Sequence, residues 1–347
     1  MEQYAGLDVS LKAVSICVSD GAGTVLWRGE VLNDAAAVVA MLGRHAPGLV
    51  RAVLETGSCG VHLYRGLKAA SVPIVCICAR QAKGALKSKV NKTDANDAEG
   101  LVHLARTGWY REVYVKSTDA HELRALLRAR QQLGKARRDF ENQMRAMLRV
   151  FGLKVGQVSR GRFEERVREL LIKVPALHIP LDQLLMARRS LLRAHDGLDD
   201  EAKRMARADE RCQLLQTMPG IGPLSSLAFV AALDGAARFA KSSSVGAYLG
   251  LTPRTYQSGE VAWTGRISKQ GDSLSRTLLY EAANSLLVRF KAKAPKTAWP
   301  PLKLWAHELA AKVGAKKARV ALARKMAVIL HRMLADGTAY RWTPNAA

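Results

Sequence analysis

Short apolar runs alternate with amphipathic stretches over the first 108 residues. Three β-rich runs come first, separated by turn residues such as Asp20-Gly21-Ala22-Gly23. The predicted strands are Tyr4–Val9, Ala13–Val18, Val25–Leu32, Arg51–Glu55 and Val72–Ile77, and the predicted helices are Asp34–His45, Val61–Ala70 and about Asn96–Arg106. Three strands followed by a βαβα order are typical of an RNase H-like α/β domain.

The pattern changes between residues 118 and 210. Four apolar residues recur at every seventh position of a charged run without proline, which predicts a long helix and a coiled-coil arm. They are Leu126, Leu133, Phe140 and Met147. A second charged helical run extends from Leu181 to about Ala208. Two such helices with a break between them predict an extended antiparallel arm, which is either a solvated linker or a dimerisation element.

The pattern of residues 215–347 predicts a mainly helical region around one irregular segment. Residues 218–223 read Met-Pro-Gly-Ile-Gly-Pro before an apolar helix. This is typical either of a helix-hairpin-helix turn that contacts a phosphate or of a plain connection. The segment Gly250–Ser275 is rich in Gly, Ser and Thr and predicts a loop or a small hairpin. The predicted divisions are an α/β domain at residues 1–110, a helical connector at residues 111–210 and a mainly α domain at residues 211–347.

Positive charge is concentrated in the second half of the chain. Of 347 residues, 54 are Lys or Arg and 30 are Asp or Glu, a net charge of +24. Residues 1–100 have a net charge of +2, whereas residues 211–347 have 20 basic and 6 acidic side chains, a net +14. This asymmetry favours a polyanionic partner, nucleic acid before a membrane surface. The last helices carry cations that form either a phosphate-binding surface or a solvated face: Lys312, Lys316, Lys317, Arg319, Arg324 and Lys325.

Other classes of protein find no support in the sequence. No apolar stretch approaches the roughly 20 residues that span a bilayer, and the first eight residues have no export-signal pattern. Five cysteines form no CxxC pair, which favours a reduced, cytoplasmic location. Neither a phosphate-binding glycine loop nor a hydrolase nucleophile elbow is present.

Four carboxylates stand at predicted element ends. Asp8 lies near the end of the first strand, Glu55 ends a later strand, and Asp94 and Asp97 begin a helix three residues apart. Singly, each has a structural explanation, since an acid at a helix start can act as a cap or favour the helix dipole, and Glu55 could cap a turn. Together they predict a site for Mg²⁺, because converging carboxylates repel one another unless a cation lies among them.

A second set of polar residues lies in the glycine-rich segment. Ser258 is followed by glycine, and Arg254, Arg266 and Lys269 are near it in sequence. Such cations could hold a phosphate and stabilise charge while a hydroxyl attacks it. By composition alone, Ser258 is interpreted as an ordinary turn serine.

These motifs together resemble one family. The front motifs are Gly6-Leu7-Asp8-Val9-Ser10, Leu54-Glu55-Thr56 and residues 92–98, Lys-Thr-Asp-x-x-Asp-Ala. The later motifs are Pro219-Gly220-Ile221-Gly222 and residues 250–271, Gly-Leu-x-Pro…Ser-Gly…Gly-x-Ile-x-Lys-x-Gly. From about residue 4 to about residue 285, the chain is similar to the DEDD transposases of insertion-sequence family 110, which includes sub-group 1111. The members of this family are described as bridge-RNA-guided recombinases.

The resemblance implies a fold and a set of roles. It implies a RuvC-like first domain, a coiled-coil connector and a transposase domain with a nucleophilic serine. Asp8, Glu55, Asp94 and Asp97 would bind Mg²⁺, and Ser258 would form a covalent phosphoserine with DNA. The implied partners are donor DNA, target DNA and a structured guide RNA. The chain would form a tetramer built from dimers, and it would act in the bacterial cytoplasm at the nucleoid. The candidate nucleic-acid contacts are Arg254, Arg266, Lys269, Arg276, Lys316, Lys317 and Arg319.

The sequence departs from the family pattern at two places. Gln257 stands where members often carry a second serine, and Ser275-Arg276 replaces a commoner Leu-Arg. Our leading interpretation is an RNA-guided DNA recombinase that moves its own insertion sequence. The alternatives are a RuvC-like nuclease that hydrolyses junction DNA with a metal-activated water, and a non-catalytic nucleic-acid-binding protein.

Overall fold

A computed structural model describes residues 1–86, 93–288 and 301–341. The chain divides into two compact units, Met1–Lys116 and Ser117–Ala347. A further division of the second unit near residue 210 stays a prediction.

The N-terminal unit is built on a five-stranded sheet in the order β3-β2-β1-β4-β5. The first three strands are joined as antiparallel neighbours, while β1, β4 and β5 run parallel. The strands are β1 (Gln3–Val9), β2 (Ala13–Asp20), β3 (Val25–Leu32), β4 (Leu49–Glu55) and β5 (Ile74–Ile77), and the helices are α1 (Ala35–His45), α2 (Gly60–Ala69), α3 (Ala79–Leu86) and α4 (Asp94–Thr107). The mixed α/β prediction is confirmed, with one helix, α3, that the sequence pattern did not indicate.

Helices cover both faces of the sheet. Ala5 and Leu7 of β1 and Leu54 of β4 pack in one core with residues of α1 and α2. On the other face, Val53 of β4 packs against residues of α4. Because alternate strand residues point to opposite faces, Asp8 and Glu55 belong to the α4 face.

Helix α4 lies in direct contact with β1 because Gly6 has no side chain. A Cβ on Gly6 would stand 2.2 Å from the carbonyl oxygen of Ala98 and 2.4 Å from the backbone nitrogen of Val102. At the other end of α4, the carbonyl oxygen of Ala105 accepts a hydrogen bond from Arg51, at the start of β4. The helix therefore runs antiparallel to β1 and β4, and its N-terminus lies toward the carboxyl ends of these strands.

The C-terminal unit is mostly helical, as the sequence pattern predicts. Its helices are α5 (Thr118–Val150), α6 (Phe163–Leu171), α7 (His178–Ala208), α8 (Glu210–Gln216), α9 (Pro223–Leu233), α10 (Ser244–Tyr248), α11 (Ser273–Val288), α12 (Pro301–Val313) and α13 (Ala315–Asp336), with a 3₁₀ turn at Pro175–Leu177 and a hairpin of β6 (Pro253–Ser258) and β7 (Val261–Ile267). Helix α9 is its centre, with every residue from Ser225 to Leu233 buried.

Helices α5 and α7 form an antiparallel pair, as predicted, but its interior differs from the predicted apolar stripe. Leu126, Leu133, Phe140 and Met147 are all only partly buried. The facing positions of α5 are instead Leu123, Leu127, Arg130, Gly134, Arg137, Glu141, Met144 and Leu148, which alternate in steps of four and three residues. This is the spacing of a helix-packing seam, displaced from the predicted one.

Charged residues occupy the middle of this seam. Arg130 Nε donates to Asp199 Oδ1 at 2.7 Å, and Arg188, which is only 2% exposed, donates to Glu141 Oε1 at 2.8 Å. The heptad prediction missed this seam because its central positions are polar and gain partners only across the helix pair. Whether the pair is a true coiled coil stays a prediction.

Candidate active site

Asp8 and Glu55 lie at the same edge of the sheet. Leu7 is paired with Leu54 in the parallel register of β1 and β4, so the residues that follow them are neighbours at the carboxyl ends of these strands. Both side chains are partly buried. A parallel strand pair therefore places two carboxylates side by side on the face that α4 covers.

Asp94 and Asp97 occupy the first turn of α4, at the end of the helix that lies toward that edge. The helix cap is Thr93, whose hydroxyl accepts a hydrogen bond from the backbone nitrogen of Asn96. The interpretation of Asp94 as the helix cap is therefore wrong. Asp94 is exposed and Asp97 is partly buried, and both carboxylates add negative charge where the helix dipole favours it. Lys92 of the same motif lies outside the described residues.

The four carboxylates provide only oxygen donors, which hard divalent cations such as Mg²⁺ prefer. Within residues 1–86, 93–288 and 301–341, no three His, Cys, Asp or Glu side chains are grouped so that they could hold a metal ion. The chemistry and the common edge thus fit a divalent metal, while the side chains are not gathered around one point.

Cys76 does not add a nucleophile to this region. Cys76 of β5 lies in the core beneath α1 and α2. Burial raises the pKa of its thiol to about 11, so the thiol is protonated at neutral pH. Cys76 is therefore a core residue.

Ser258 is the last residue of β6, next to the two-residue turn of the hairpin. It is paired with Val261, and Gly259 in the turn has a φ of +55°, a backbone conformation that favours glycine. Every residue of β6 is exposed. The structure therefore presents the Ser258 hydroxyl on an open hairpin within the C-terminal unit.

Cations occur along this hairpin and at its base. The side chains of Arg254, Arg266 and Lys269 are exposed. Arg254 also donates from Nη2 to the carbonyl oxygen of Ser268 at 3.1 Å, which ties it to the base of the hairpin. Positive charge is thus available on the same small element as Ser258.

Arg276 supports the hairpin base from α11. Its Nη1 donates to the carbonyl oxygens of Leu249, at 3.0 Å, and Gln270, at 2.8 Å. Burial lowers the pKa of this guanidinium, although Asp272 opposes the shift. A phosphate contact at Arg276 stays a prediction, and it would have to use the other nitrogens.

The hairpin base is closely packed. A Cβ on Gly250 would stand 2.0 Å from the carbonyl oxygen of Gln270, and one on Gly271 would stand 2.1 Å from that of Tyr248. Asp272 ties the base to the arm through an ion pair with Arg124 of 2.6 Å. Burial would raise the pKa of Asp272, but the Ser275 backbone N–H and Arg124 outweigh it and hold this pKa below its ordinary value.

The turn between α8 and α9 uses two of its amides internally. The N–H of Ile221 donates to the carbonyl of Met218, and the N–H of Gly222 donates to Ser225 Oγ at 2.8 Å. A phosphate contact by this helix-hairpin-helix-like turn stays a prediction, and these two amides would not provide it.

The predicted basic surface of the last helix is exposed in part. Lys316 and Lys317 are exposed at the start of α13. Arg319 is partly buried and lies 3.4 Å from the Tyr280 hydroxyl, to which its Nη1 donates. The two lysines are therefore better placed than Arg319 for contacts with a polyanion.

A basic groove beside α5 is a candidate that sequence reasoning missed. Arg128, Lys135 and Arg138 line it, together with two glutamines, Asp272 and the start of α11. All three cations are exposed, and within the described ranges none has a carboxylate at ion-pair distance. The three cations are seven and three residues apart, a spacing that places them on one face of a helix and could have indicated this groove. The same helix also carries the apolar heptad on which the sequence prediction was based.

Comparison with known proteins gives this arrangement its class. Residues 5–152 match the family model of DEDD transposases of the IS110 type, and residues 212–299 match the model described as the transposase IS116/IS110/IS902 family. The two matched segments contain the four carboxylates and Ser258 respectively. The class is therefore that of transposases, enzymes that act on DNA.

Individual relatives give the same result over most of the chain. The transposase of insertion sequence element IS1111A from Coxiella burnetii is 30% identical over 340 residues, which cover 97% of this chain and 90% of the relative. A probable family 20 transposase from Pseudomonas aeruginosa is 32% identical over 258 residues, covering 73% and 75%, and the IS1328 transposase from Yersinia enterocolitica is 30% identical over 261 residues, covering 73% and 74%. The chain belongs to the IS110/IS116/IS902 family of DEDD transposases.

Membership has two immediate consequences. The four-carboxylate signature of the family implies the use of a divalent metal, and transposase activity implies a DNA substrate. Among the described helices, none combines the length and apolar character needed to cross a bilayer.

Proposed function

We propose that this transposase moves its insertion sequence by strand exchange through a covalent phosphoserine at Ser258. The observation that carries the proposal is the presence of two separate chemical sets on one chain. In the N-terminal unit, two carboxylates lie at the carboxyl ends of paired strands and two lie in the first turn of α4. In the C-terminal unit, an exposed hydroxyl lies at the turn of a hairpin that carries cations toward its base. A hydrolase would need only the first set.

The carboxylates of Asp8, Glu55, Asp94 and Asp97 would hold the metal, for which we propose Mg²⁺. When bound, such an ion supplies positive charge beside a scissile phosphate. The partial burial of Asp8, Glu55 and Asp97 would strengthen their attraction for a cation, and the exposed Asp94 could close over it from the start of α4.

Ser258 would be the nucleophile. In the cleavage step a bond forms between Ser258 Oγ and phosphorus, the bond from phosphorus to a deoxyribose oxygen breaks, and the hydroxyl proton passes to a base or to the leaving oxygen. Rejoining reverses this: a deoxyribose hydroxyl of the exchanging strand attacks the phosphoserine and restores the serine. Arg254 is four strand residues from Ser258, about 13 Å along β6. Arg254, Arg266 and Lys269 would therefore hold the DNA backbone that flanks the reacting phosphate.

Sequence choice would come from a structured guide RNA that pairs with donor and target DNA. The family resemblance suggests this partner, and it also suggests a tetramer assembled from dimers, with active sites shared between protomers, acting on the nucleoid. The +14 charge of residues 211–347 supports a strong grip on nucleic-acid backbones irrespective of sequence. Purified protein that recombined its correct sites in the absence of RNA would exclude a guide.

The electrostatic part of this proposal can be tested by itself. Charge reversal in Lys316→Glu should weaken binding by a similar factor for nucleic acids of unrelated sequence. It should also reduce the slope of log affinity against log salt concentration by about 1, the value expected for one lost phosphate contact. The matched control is Lys68→Glu, an exposed lysine in the last turn of α2 in the N-terminal unit, with the same charge change. Equal effects of the two variants would contradict a specific phosphate contact at α13.

The decisive experiment is the covalent adduct. Wild-type protein incubated with its DNA, RNA and Mg²⁺ should give a protein–DNA species that survives denaturing electrophoresis. Ser258→Ala should lose it together with strand exchange, whereas Tyr256→Phe, at the neighbouring hydroxyl two residues away, should retain it. An adduct that vanished only in Tyr256→Phe would assign the nucleophile to the tyrosine. Cleavage without any adduct would favour the hydrolytic RuvC-like nuclease.

A further inference from the structure

Two aromatic rings lie on the hairpin beside Ser258 and have no role in the chemistry above. Tyr256 and Trp263 are directly paired across β6 and β7, and their rings are stacked with centroids 5.8 Å apart and planes inclined by 24°. Tyr256 is 51% exposed and Trp263 is 55% exposed. Large aromatic rings on an open strand pair are unusual, because apolar surface of this size is normally buried.

The rings share a face of the hairpin with Ser258. Residues paired directly across an antiparallel ribbon project to the same side, and so does every second residue of a strand. Tyr256, Trp263, Ser258 and Val261 therefore lie on one side, whereas Gln257 and Ala262, which pair with each other, lie on the other. A molecule that binds this side of the hairpin would therefore meet both the candidate nucleophile and the aromatic pair.

The orientation of the indole is set by a glycine. A Cβ on Gly265 would stand 2.6 Å from Cζ3 of Trp263, so the indole lies over Gly265 and its position depends on the missing side chain. The ring thus extends along β7 toward the hairpin base, where the exposed cations Arg266 and Lys269 occur. Aromatic surface bordered by positive charge is complementary to a nucleic-acid strand, which has flat bases and an anionic backbone.

We propose that Tyr256 and Trp263 form a platform on which an unpaired DNA base stacks next to the scissile phosphate. Only a base taken out of the helical stack exposes a flat face to a protein ring. Ser258 is two strand residues from Tyr256, about 7 Å along β6. Because this offset is short, the stacked base would lie within one or two nucleotides of the phosphate. The proposal rests on the assignment of Ser258 as the nucleophile, because strand exchange requires opened strands at that point.

The test separates base contacts from phosphate contacts. Full-length protein is titrated with a short labelled oligothymidylate and with an abasic oligonucleotide of the same length, which keeps every phosphate and lacks every base. Trp263→Ala should weaken binding of the oligothymidylate about 5- to 100-fold, as expected for the loss of one stacked base, and leave the abasic strand unaffected. Trp263→Phe should retain most of the affinity.

Two further variants serve as controls. Val261→Ala removes an apolar group of similar exposure, 59%, from the same face and should change neither affinity. Gly265→Ala keeps the indole but displaces it, and should reproduce the base-specific loss. If Trp263→Ala and Gly265→Ala weakened both strands equally, or neither, the rings would only support the hairpin and the platform would be refuted. A loss confined to RNA oligonucleotides would likewise overturn a DNA site.

The outcome is independent of the covalent step. Ser258→Ala should keep the full difference between the oligothymidylate and the abasic strand, because stacking needs no hydroxyl. If that difference persisted while no variant or wild-type protein ever formed an adduct, the recombinase proposal would fail and a base-binding hairpin would remain. If the adduct formed normally and the difference was absent, the platform alone would be wrong.

Discussion

The carboxylate edge of the N-terminal unit and the Ser258 hairpin of the C-terminal unit are built in opposite ways. Asp8 and Glu55 extend from paired strands of a sheet that is covered on both faces, and α4 is held against β1 by direct backbone contact at Gly6. Ser258 lies at the end of a two-stranded ribbon that is exposed along β6 and packed only at its base.

The difference reflects what each group has to do. Carboxylates that repel one another stay together only if rigid elements determine their positions, and a sheet edge under a helix provides this. An isolated two-stranded hairpin is only marginally stable, so its outer part can adapt to the strand that it contacts. We infer that the fold fixes the backbone positions of the carboxylate edge, whereas the position of Ser258 is completed by substrate.

The largest effect is expected for removal of charge at the carboxylate edge. Asp8→Asn or Asp97→Asn keeps the shape of the side chain but loses its charge, and should abolish recombination while folding and RNA binding stay largely intact. Glu99→Gln is the matched control, since this carboxylate on the same helix pairs with Arg28 instead. Strand exchange assays in Mg²⁺ measure the effect, and full activity of either Asn variant would contradict the four-carboxylate site.

A smaller effect is expected when the scaffold of that edge is changed. Gly6→Ala places a methyl group within 2.4 Å of two backbone atoms of α4, so the helix has to move. We expect a loss of about 1–3 kcal/mol in the free energy of unfolding, measured by urea denaturation. Gly21→Ala, at a glycine with nothing within 4 Å of the added Cβ, should leave stability nearly unchanged. Equal midpoints for the two variants would show that the edge is not rigid.

The sequence indicated this edge well because strand ends are visible in the pattern. The apolar runs before Asp8 and Glu55 end where the strands end, and α4 begins two residues before the predicted Asn96. The positions of the four carboxylates near strand ends and at a helix start followed from local pattern, whereas their convergence on one metal ion stays a prediction. The close approach of α4 to Gly6 could not be predicted from local pattern, because that helix lies nearly a hundred residues further along the chain.

The second unit was harder to predict because its key contacts are between distant polar residues. The seam of α5 and α7 contains Arg188 and Glu141, whose charges suggest a solvated surface until the facing helix is known. Arg276 was expected to contact nucleic acid, yet its Nη1 holds two carbonyls of the hairpin base. Sequence pattern reveals periodic burial, but it does not reveal which charges neutralise each other.

A modest, pH-dependent effect is expected at the base of the hairpin. The folded protein lowers the pKa of Asp272 from its ordinary value of 3.8, so its ionised form stabilises the hairpin base fully above about pH 4. This contribution is lost as the pH falls further, through the lowered pKa. Amide hydrogen exchange near Gly250 and Lys269 should therefore accelerate in acid, and Asp272→Asn should remove this pH dependence. An unchanged acid profile in Asp272→Asn would exclude the ion pair with Arg124 as its cause.

The smallest effect is expected at Gln257, the position at which the family resemblance suggests a second serine. Gln257 is exposed and lies on the face of the hairpin opposite to Ser258, because adjacent strand residues project to opposite sides. Gln257→Ser should therefore change stability by less than about 0.5 kcal/mol and leave the adduct unaltered, as for other exposed positions. The sharper test is the double variant Ser258→Ala with Gln257→Ser, which retains one serine on the wrong face. If the hairpin holds its register when DNA binds, this variant forms no adduct. If the double variant does form the adduct, the ribbon must turn over or shift by one residue when it binds the substrate. The fold would then fix the hairpin even less than the comparison with the carboxylate edge suggests.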